Sequence, residues 1–221
     1  MKKKVLVLGS GGREHALVWA FAKDENVSEI FCAPGNGGTD DIAENITVNL
    51  ANLQEVLRLA QGKKIDLTVV GPETPLAGGI VDSFHKAGLR IFGPDAYGAQ
   101  LESSKLFSRN LMEENKIKQP SFYSCNTREE VESLKEILEL PLVIKADGLA
   151  AGKGVIVCQK EKEFETALRT IFDKGTFGDA ANRISLERCL FGKELSVFVV
   201  CDGEDFKILI YESLYGLSVG V

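Results

Sequence analysis

A doubly wound α/β sheet followed by a second, α+β region is the fold class this sequence predicts, on three observations. Over roughly the first hundred residues, short β-rich apolar runs alternate with amphipathic stretches. Each run stops at a loop built from Gly, Pro, Asn or Ser. Beyond Gln119-Pro120 that rhythm gives way to closely spaced strand patterns with hairpin-like connections.

Taken in order, the apolar runs place strands over residues 4–8, 29–32, 67–70 and 90–92, and the amphipathic stretches place helices over 13–23, 53–60, 80–87 and 96–101. Each strand is followed by small residues: Gly9-Ser10-Gly11-Gly12, then Gly35-Asn36-Gly37-Gly38-Thr39, Gly71-Pro72-Glu73-Thr74-Pro75 and Gly93-Pro94-Asp95. In an open parallel sheet such loops gather at the carboxyl ends of the strands, where ligands bind. A polar helix over 105–115 precedes the compositional shift, which puts the domain boundary at 119/120. Downstream the pattern predicts helices over 128–138 and 161–173, and strands over 142–146, 155–158, 183–187, 194–201 and 206–211.

Composition excludes several classes. With 44% hydrophobic and 26% charged residues the chain is neither a disordered tail nor a membrane protein, since no apolar run reaches the roughly 20 residues that span a bilayer. Only about four apolar residues follow the basic start before Gly9, too few for a secretory core of roughly 7–15, so a cytoplasmic location is expected. The five cysteines form no C-x-x-C pair and are odd in number, which points to reduced, buried thiols. A net charge of −6 without a basic stripe argues against nucleic acid as a partner and leaves anionic ligands to local positive sites.

The first loop, Gly9-Ser10-Gly11-Gly12-Arg13, lies between strand and helix, where backbone amides and the helix dipole can hold a phosphate. A dinucleotide fingerprint would need glycine where Glu14 stands, and no acidic residue ends the second strand. Gly35, Asn36, Gly37 and Thr39 add amides, as do Gly71 and its neighbour Pro72's loop, while Glu73 adds a carboxylate for ribose hydroxyls or an amine. Singly each loop reads equally as an ordinary βα turn; three at one sheet edge favour a sugar-phosphate site. A second cluster runs from Lys145 through Asp147, Gly148, Gly152 and Lys153 to Gly154, a strand ending in lysine before a glycine-rich turn. Small residues there let amides approach a polyphosphate while the lysines bring charge. It is not a Walker A loop, because Gly154 stands where Ser or Thr is required and a strand follows. A structural hairpin is the competing reading.

The segments GSGGREHA (9–16), APGNGGT (33–39), IDLTVVGPETPL (65–76), IFGP (91–94), QLESSKLF (100–107) and VIKADGLAAGKGVIV (143–157) together resemble the phosphoribosylamine–glycine ligase family over residues 1–208. That resemblance implies a Rossmann-like, pre-ATP-grasp parallel-sheet domain over 1–119, then an incomplete α+β ATP-grasp domain over 120–221. It implies ATP-dependent ligation of glycine to 5-phosphoribosylamine, giving glycinamide ribonucleotide, ADP and phosphate through glycyl phosphate. Lys105 and Lys145 would contact ATP phosphates, the loop from Asp147 to Gly154 would cover them, and Glu187, Leu190 and Glu194 would line the adenosine pocket. The amino-terminal loops would face phosphoribosylamine.

Two departures stand out. Arg188-Cys189 replaces an acidic and an aromatic residue, and beyond Ile208 the likeness ends. The family's Mg²⁺ (or Mn²⁺) ligands and its glycine-binding arginine are expected to be absent, leaving an incomplete, inactive form of the ligase. The alternative is a non-catalytic nucleotide or sugar-phosphate binding module. Oligomeric state is not legible.

Overall fold

The computed structural model describes residues 2–148, 154–173 and 183–219, with backbone alone for Glu194 and for 210–219. Chain contacts divide it into two compact units, Met1–Ser103 and Ser104–Val221. The division falls sixteen residues before the compositional boundary, because the polar helix belongs with the strands downstream of it: Leu106 is buried and Arg109 reaches a strand of the second unit.

In the first unit β1 (Lys3–Gly9), α1 (Gly12–Phe21), β2 (Val27–Pro34), β3 (Glu44–Asn45), α2 (Leu53–Lys63), β4 (Leu67–Val70), α3 (Glu73–Ala77), α4 (Ile80–Lys86), β5 (Ile91–Phe92) and α5 (Gln100–Ser103) succeed one another. The sheet is parallel throughout, in the order β3-β2-β1-β4-β5. The two-residue alternation of β1 sends Leu6 and Leu8 into a core with Val56, Ile80 and Phe84, and Val5 and Val7 into another with Val18 of α1. Apolar layers therefore cover both faces, which is why β1 reads as an unbroken apolar run. Strand order reverses between β1 and β4, so the loops after these strands flank the switch point.

The stretch after Gly71, expected as loop, turns at once into α3. Pro72 caps it and Pro75 sits in its first turn, where a missing N–H costs the helix nothing. The helix expected over 96–101 is instead a turn leading into α5, held by Asp95, whose carboxylate accepts the Gly98 amide at 2.7 Å.

The second unit holds α6 (Lys105–Glu114), β6 (Phe122–Cys125), α7 (Arg128–Leu138), β7 (Leu142–Ala146), β8 (Val155–Cys158), α8 (Glu161–Leu168) with a π turn at Arg169–Asp173, β9 (Ile184–Arg188), β10 (Phe191–Cys201) and β11 (Phe206–Val219). Four strands form an antiparallel sheet in the order β6-β9-β7-β8. Leu142, Ile144, Ile184 and Leu186 face the apolar core beneath α7 and α8. By the same alternation Val143, Lys145, Ser185 and Glu187 belong to the opposite face. β10 and β11 make a separate antiparallel ribbon, longer than the two expected strands. Both of its faces carry exposed apolar side chains, Val197 and Val199 on one and Phe198 and Val200 on the other.

Candidate functional site

At the switch point of the first unit, the third residue of α1 turns back on its own helix start. Glu14, 4% exposed, accepts the Gly11 N–H through Oε2 at 2.6 Å and the Arg13 Nε–H through Oε1 at 3.1 Å. This is half of a capping box; the glycine has no side chain to return the bond. Arg13 uses its second arm, Nη2, on Glu73 Oε1 at 3.1 Å, joining the start of α1 to the start of α3. The Glu73 carboxyl lies below its ordinary range because a backbone N–H holds it, and the Arg13 charge adds to this against partial burial. Arg13 keeps a half-exposed guanidinium and is raised by its bonds to Glu14 and Glu73.

Glycines make room for this carboxylate. A side-chain carbon at Gly9 would lie 2.5 Å from Glu14 Cγ, one at Gly11 2.9 Å from Oε2, and one at Gly71 would collide with Oε1. Gly9 also has φ +129°, which favours glycine on backbone grounds alone. At Gly12 and Gly37, by contrast, an added carbon meets nothing within 4 Å. Those two positions leave the surface of the loops open. In the sequence Glu14 stands out only as the residue that breaks a dinucleotide fingerprint. Its signal is an acid three residues into a helix that starts after glycine, and its consequence is that the Gly11 amide is already occupied.

The second loop is tied to the first by one side chain. Asn36 Nδ2 donates to the Ser10 and Gly11 carbonyls at 2.8 and 3.3 Å, while its Oδ1 accepts the Gly38 and Thr39 amides at 2.8 and 3.1 Å. Thr39, fully buried, accepts the Asn36 N–H and donates to Asn45 Oδ1. Gly35, at φ +75°, leaves the space that Asn45 fills. These residues brace the loops, and Gly71 does likewise by donating its N–H to the Leu8 carbonyl at 3.0 Å.

In the second unit the polar face of the sheet carries a buried charge cluster. Glu187 is 1% exposed and Lys145 4%. Arg109 grips Glu187 with two parallel bonds, Nε to Oε1 at 2.9 Å and Nη2 to Oε2 at 2.6 Å. Lys145 Nζ lies 3.0 Å from Oε2, and Ser185 Oγ donates to Oε1 at 2.9 Å. Burial alone raises the Glu187 carboxyl, but the Arg109 bonds and the Lys145 and Arg109 charges outweigh it and hold the group below its ordinary range. Burial lowers the Lys145 ammonium, Glu187 works against that, and the charges of Arg109 and Lys105 add to the lowering. Arg109 carries no sequence signal of its own beyond its spacing. It stands four residues after Lys105, one helical turn along the same face of α6.

The start of α6 grips the base of the glycine-rich turn. Asp147 Oδ1 accepts the Ser104 hydroxyl at 2.9 Å and the Leu106 N–H at 3.2 Å, and Oδ2 accepts Arg183 Nη2 at 3.0 Å. Lys105 Nζ donates to the Gly148 carbonyl at 3.2 Å. Across the turn, the Gly154 carbonyl accepts the Ala146 N–H at 2.7 Å. Gly152 and Lys153 lie outside the described residues. Leu190 is 51% exposed between β9 and β10, and Glu194 is placed by its backbone within β10. The structure thus joins Lys145 to Glu187, Lys105 to Gly148, and Asp147 to Ser104 and Leu106 on either side of Lys105.

No group of three or more His, Cys, Asp or Glu that could hold a metal occurs among the described residues. Asp202 is a turn cap, its Oδ1 accepting the Glu204 and Asp205 amides at 3.1 and 2.8 Å.

A parallel-sheet unit with loops at its switch point, followed by an antiparallel sheet whose polar face carries Lys145, with Lys105 of α6, beside a glycine-rich turn, defines the class: a Rossmann-like unit leading into part of an ATP-grasp domain. Residues 3–102 match the phosphoribosylglycinamide synthetase N domain and residues 103–213 its ATP-grasp (A) domain. The chain belongs to the phosphoribosylglycinamide synthetase family. It is 45% identical over 202 residues to a phosphoribosylamine–glycine ligase of Clostridium acetobutylicum, covering 91% of this chain and 48% of the relative. A crystal structure of phosphoribosylamine–glycine ligase from Thermotoga maritima is similar at a TM-score of 0.74 and 29% identity, over 94% of this chain and 49% of that one. The fold is also that of an N5-carboxyaminoimidazole synthase from Aspergillus clavatus in complex with ADP and 5-aminoimidazole ribonucleotide, at a TM-score of 0.74 and 18% identity, over 96% and 53% of the two chains. The chain spans about half the length of the curated relatives it matches.

Proposed function

We propose that these 221 residues form the phosphoribosylamine-facing unit and part of the ATP-binding unit of a ligase that joins glycine to 5-phosphoribosylamine. The products are glycinamide ribonucleotide, ADP and phosphate, formed through glycyl phosphate, and the setting is the cytoplasm. The observation that carries this reading is the placement of Lys105 and Lys145 beside the base of one glycine-rich turn, Lys105 against Gly148 and Lys145 at the strand end that leads into it. Ammonium groups held there suit the phosphates of ATP, where charge-assisted bonds are short and strong. Leu190 and Glu194, on the segment that follows β9, suit the adenosine end.

In the first unit the open surface at Gly12 and Gly37, the α1 amino terminus and the half-exposed Arg13 suit a sugar phosphate. Glu73 suits a ribose hydroxyl or the substrate amine. The work of these residues is to bind and orient the reacting groups.

Titration with ATP tests the reading. Lys145→Ala should weaken ATP binding by at least about 1.5 kcal/mol, the lower range for a lost charged hydrogen bond. An unchanged dissociation constant would assign Lys145 to structure alone. Incubation with ATP, Mg²⁺, glycine and freshly generated phosphoribosylamine tests turnover: glycine-dependent phosphate release would show that the chain is catalytic. Binding without such release is also the behaviour of a plain nucleotide-binding module, and ribose 5-phosphate shifts at Gly12, Arg13 and Glu73 would separate the two.

A further inference from the structure

The ladder between β7 and β9 runs one step past the paired residues Ala146 and Ile184, where the Asp147 N–H donates to the Arg183 carbonyl at 2.9 Å. The two-residue alternation that puts Lys145, Ser185 and Glu187 on the polar face therefore puts Asp147 and Arg183 there too. Their side chains meet, with Arg183 Nη2 donating to Asp147 Oδ2 at 3.0 Å. The pair is lopsided, for Asp147 is 3% exposed and Arg183 61%. Asp147 is spent, because its Oδ1 already holds the Ser104 hydroxyl and the Leu106 N–H. Arg183 has no other ion-pair partner among the described residues, and Asp147 engages one arm of it. What results is an exposed guanidinium anchored at one corner, with donors to spare.

Its position gives this cation a use. Arg183 stands just before β9, two residues and so roughly 7 Å from the row of Ser185 and Lys145. The proposed adenosine end lies at the opposite, carboxyl end of β9, toward Leu190. A nucleotide laid along this face with phosphate at Lys145 therefore carries its outer phosphates toward Arg183. Charge favours the same direction, since Lys105, Arg109, Lys145 and Arg183 outnumber Asp147 and Glu187 in this cluster. The planar fork of a guanidinium also matches two phosphate oxygens at once.

We infer that Arg183 is a further binding residue, which takes a phosphate beyond the one held at Lys145, and that Asp147 anchors it there. The inference rests on the proposed ATP site and deepens it, because it makes that site selective for di- and triphosphates over a monophosphate. The competing role for the same contact is an ion pair that only ties two strand ends together, a kind worth little where it is exposed.

Two measurements on the 221-residue chain decide between them. The first compares affinities for ATP, ADP and AMP in the parent chain, Arg183→Met and Arg183→Lys. Arg183→Met should weaken ATP and ADP about tenfold, the scale of one charge-assisted hydrogen bond, and leave AMP within about twofold. Arg183→Lys should recover part of the loss, since it restores the charge without the fork. Equal weakening of AMP and ATP, or unweakened ATP, would overturn the inference. The second uses the parent chain and no nucleoside: arginine modification by phenylglyoxal, read by peptide mass spectrometry with and without inorganic tripolyphosphate. Tripolyphosphate should slow the modification of Arg183 severalfold and leave the exposed Arg58 of the first unit unmoved. Equal rates at Arg183 with and without it would remove Arg183 as a phosphate contact. If the parent chain binds no nucleotide, the ATP reading fails, while protection of Arg183 still decides whether it takes a polyphosphate. The same arm decides should Arg183→Met not fold.

Discussion

The carboxylate of Glu14 fills the space that a side chain on Gly71 would occupy. Two loops sixty residues apart in sequence therefore meet around one buried side chain, and each glycine is the complement of the acid. Gly71→Ala should push Glu14 off the Gly11 amide and cost about 1–3 kcal/mol, the usual penalty for overpacking. In a Glu14→Ala background the same change should cost much less. Urea unfolding followed by the fluorescence of Trp19, the sole tryptophan, measures both; equal costs in the two backgrounds would show the residues to be independent.

Asp147 is a helix cap reached from a distant strand. Its Oδ1 holds the Ser104 hydroxyl and the Leu106 amide, while Ser104 in turn accepts the Phe107 amide at 3.1 Å. Asp147→Ala should lower stability by about 1–2 kcal/mol, as lost caps do. Hydrogen exchange should quicken first at Leu106 and Phe107. Protection there equal to the parent chain would mean that the cap is dispensable.

Acid should loosen the second unit through Glu187. Its folded carboxyl titrates below the ordinary range, so the stabilisation it brings is fully present above about pH 4.3, the unfolded value, and is lost as pH falls through the folded value. Glu187→Gln should remove that component of acid sensitivity. At neutral pH it should also cost about 3–5 kcal/mol, because Arg109 and Lys145 remain buried without their carboxylate. Calorimetry from about pH 7 down to about pH 3 would show the acid limb flattened in the variant; identical slopes would remove Glu187 as its source.

The thiols should separate cleanly by reactivity. Burial, with Glu130 and Glu163 nearby, pushes Cys125 and Cys158 up to about 11, and burial raises Cys32 and Cys189 as well. Cys201 is exposed on the ribbon. A thiol reagent at neutral pH should modify Cys201 first, since the thiolate is the reacting form and access is required. Peptide mapping after brief labelling checks this, and early modification of Cys125 or Cys158 would show that the core of the second unit opens readily.

Local pattern by itself determines much of this protein. The bounds of β4, α7, β7 and β8 coincide with the expected segments because each combines a clear hydrophobic period with a Gly, Pro, Asn or Thr boundary. The glycine-rich loops, Lys105 and Lys145 are also visible, since small residues after a strand and a lysine at its end are local signals. Short edge elements are not: β3 has two residues, and β6, Phe122–Cys125, is defined by its pairing with β9. The division at Ser103 also escapes composition, because a polar helix declares its domain only through the partner it packs against. What the tertiary structure alone decides is which groups satisfy one another. Arg109 meets Glu187 across 78 positions and Ser104 meets Asp147 across 43, and neither spacing leaves a periodic trace. A buried charge must find its counterpart wherever the fold brings one, so the identity of that counterpart is a property of packing and not of neighbouring sequence.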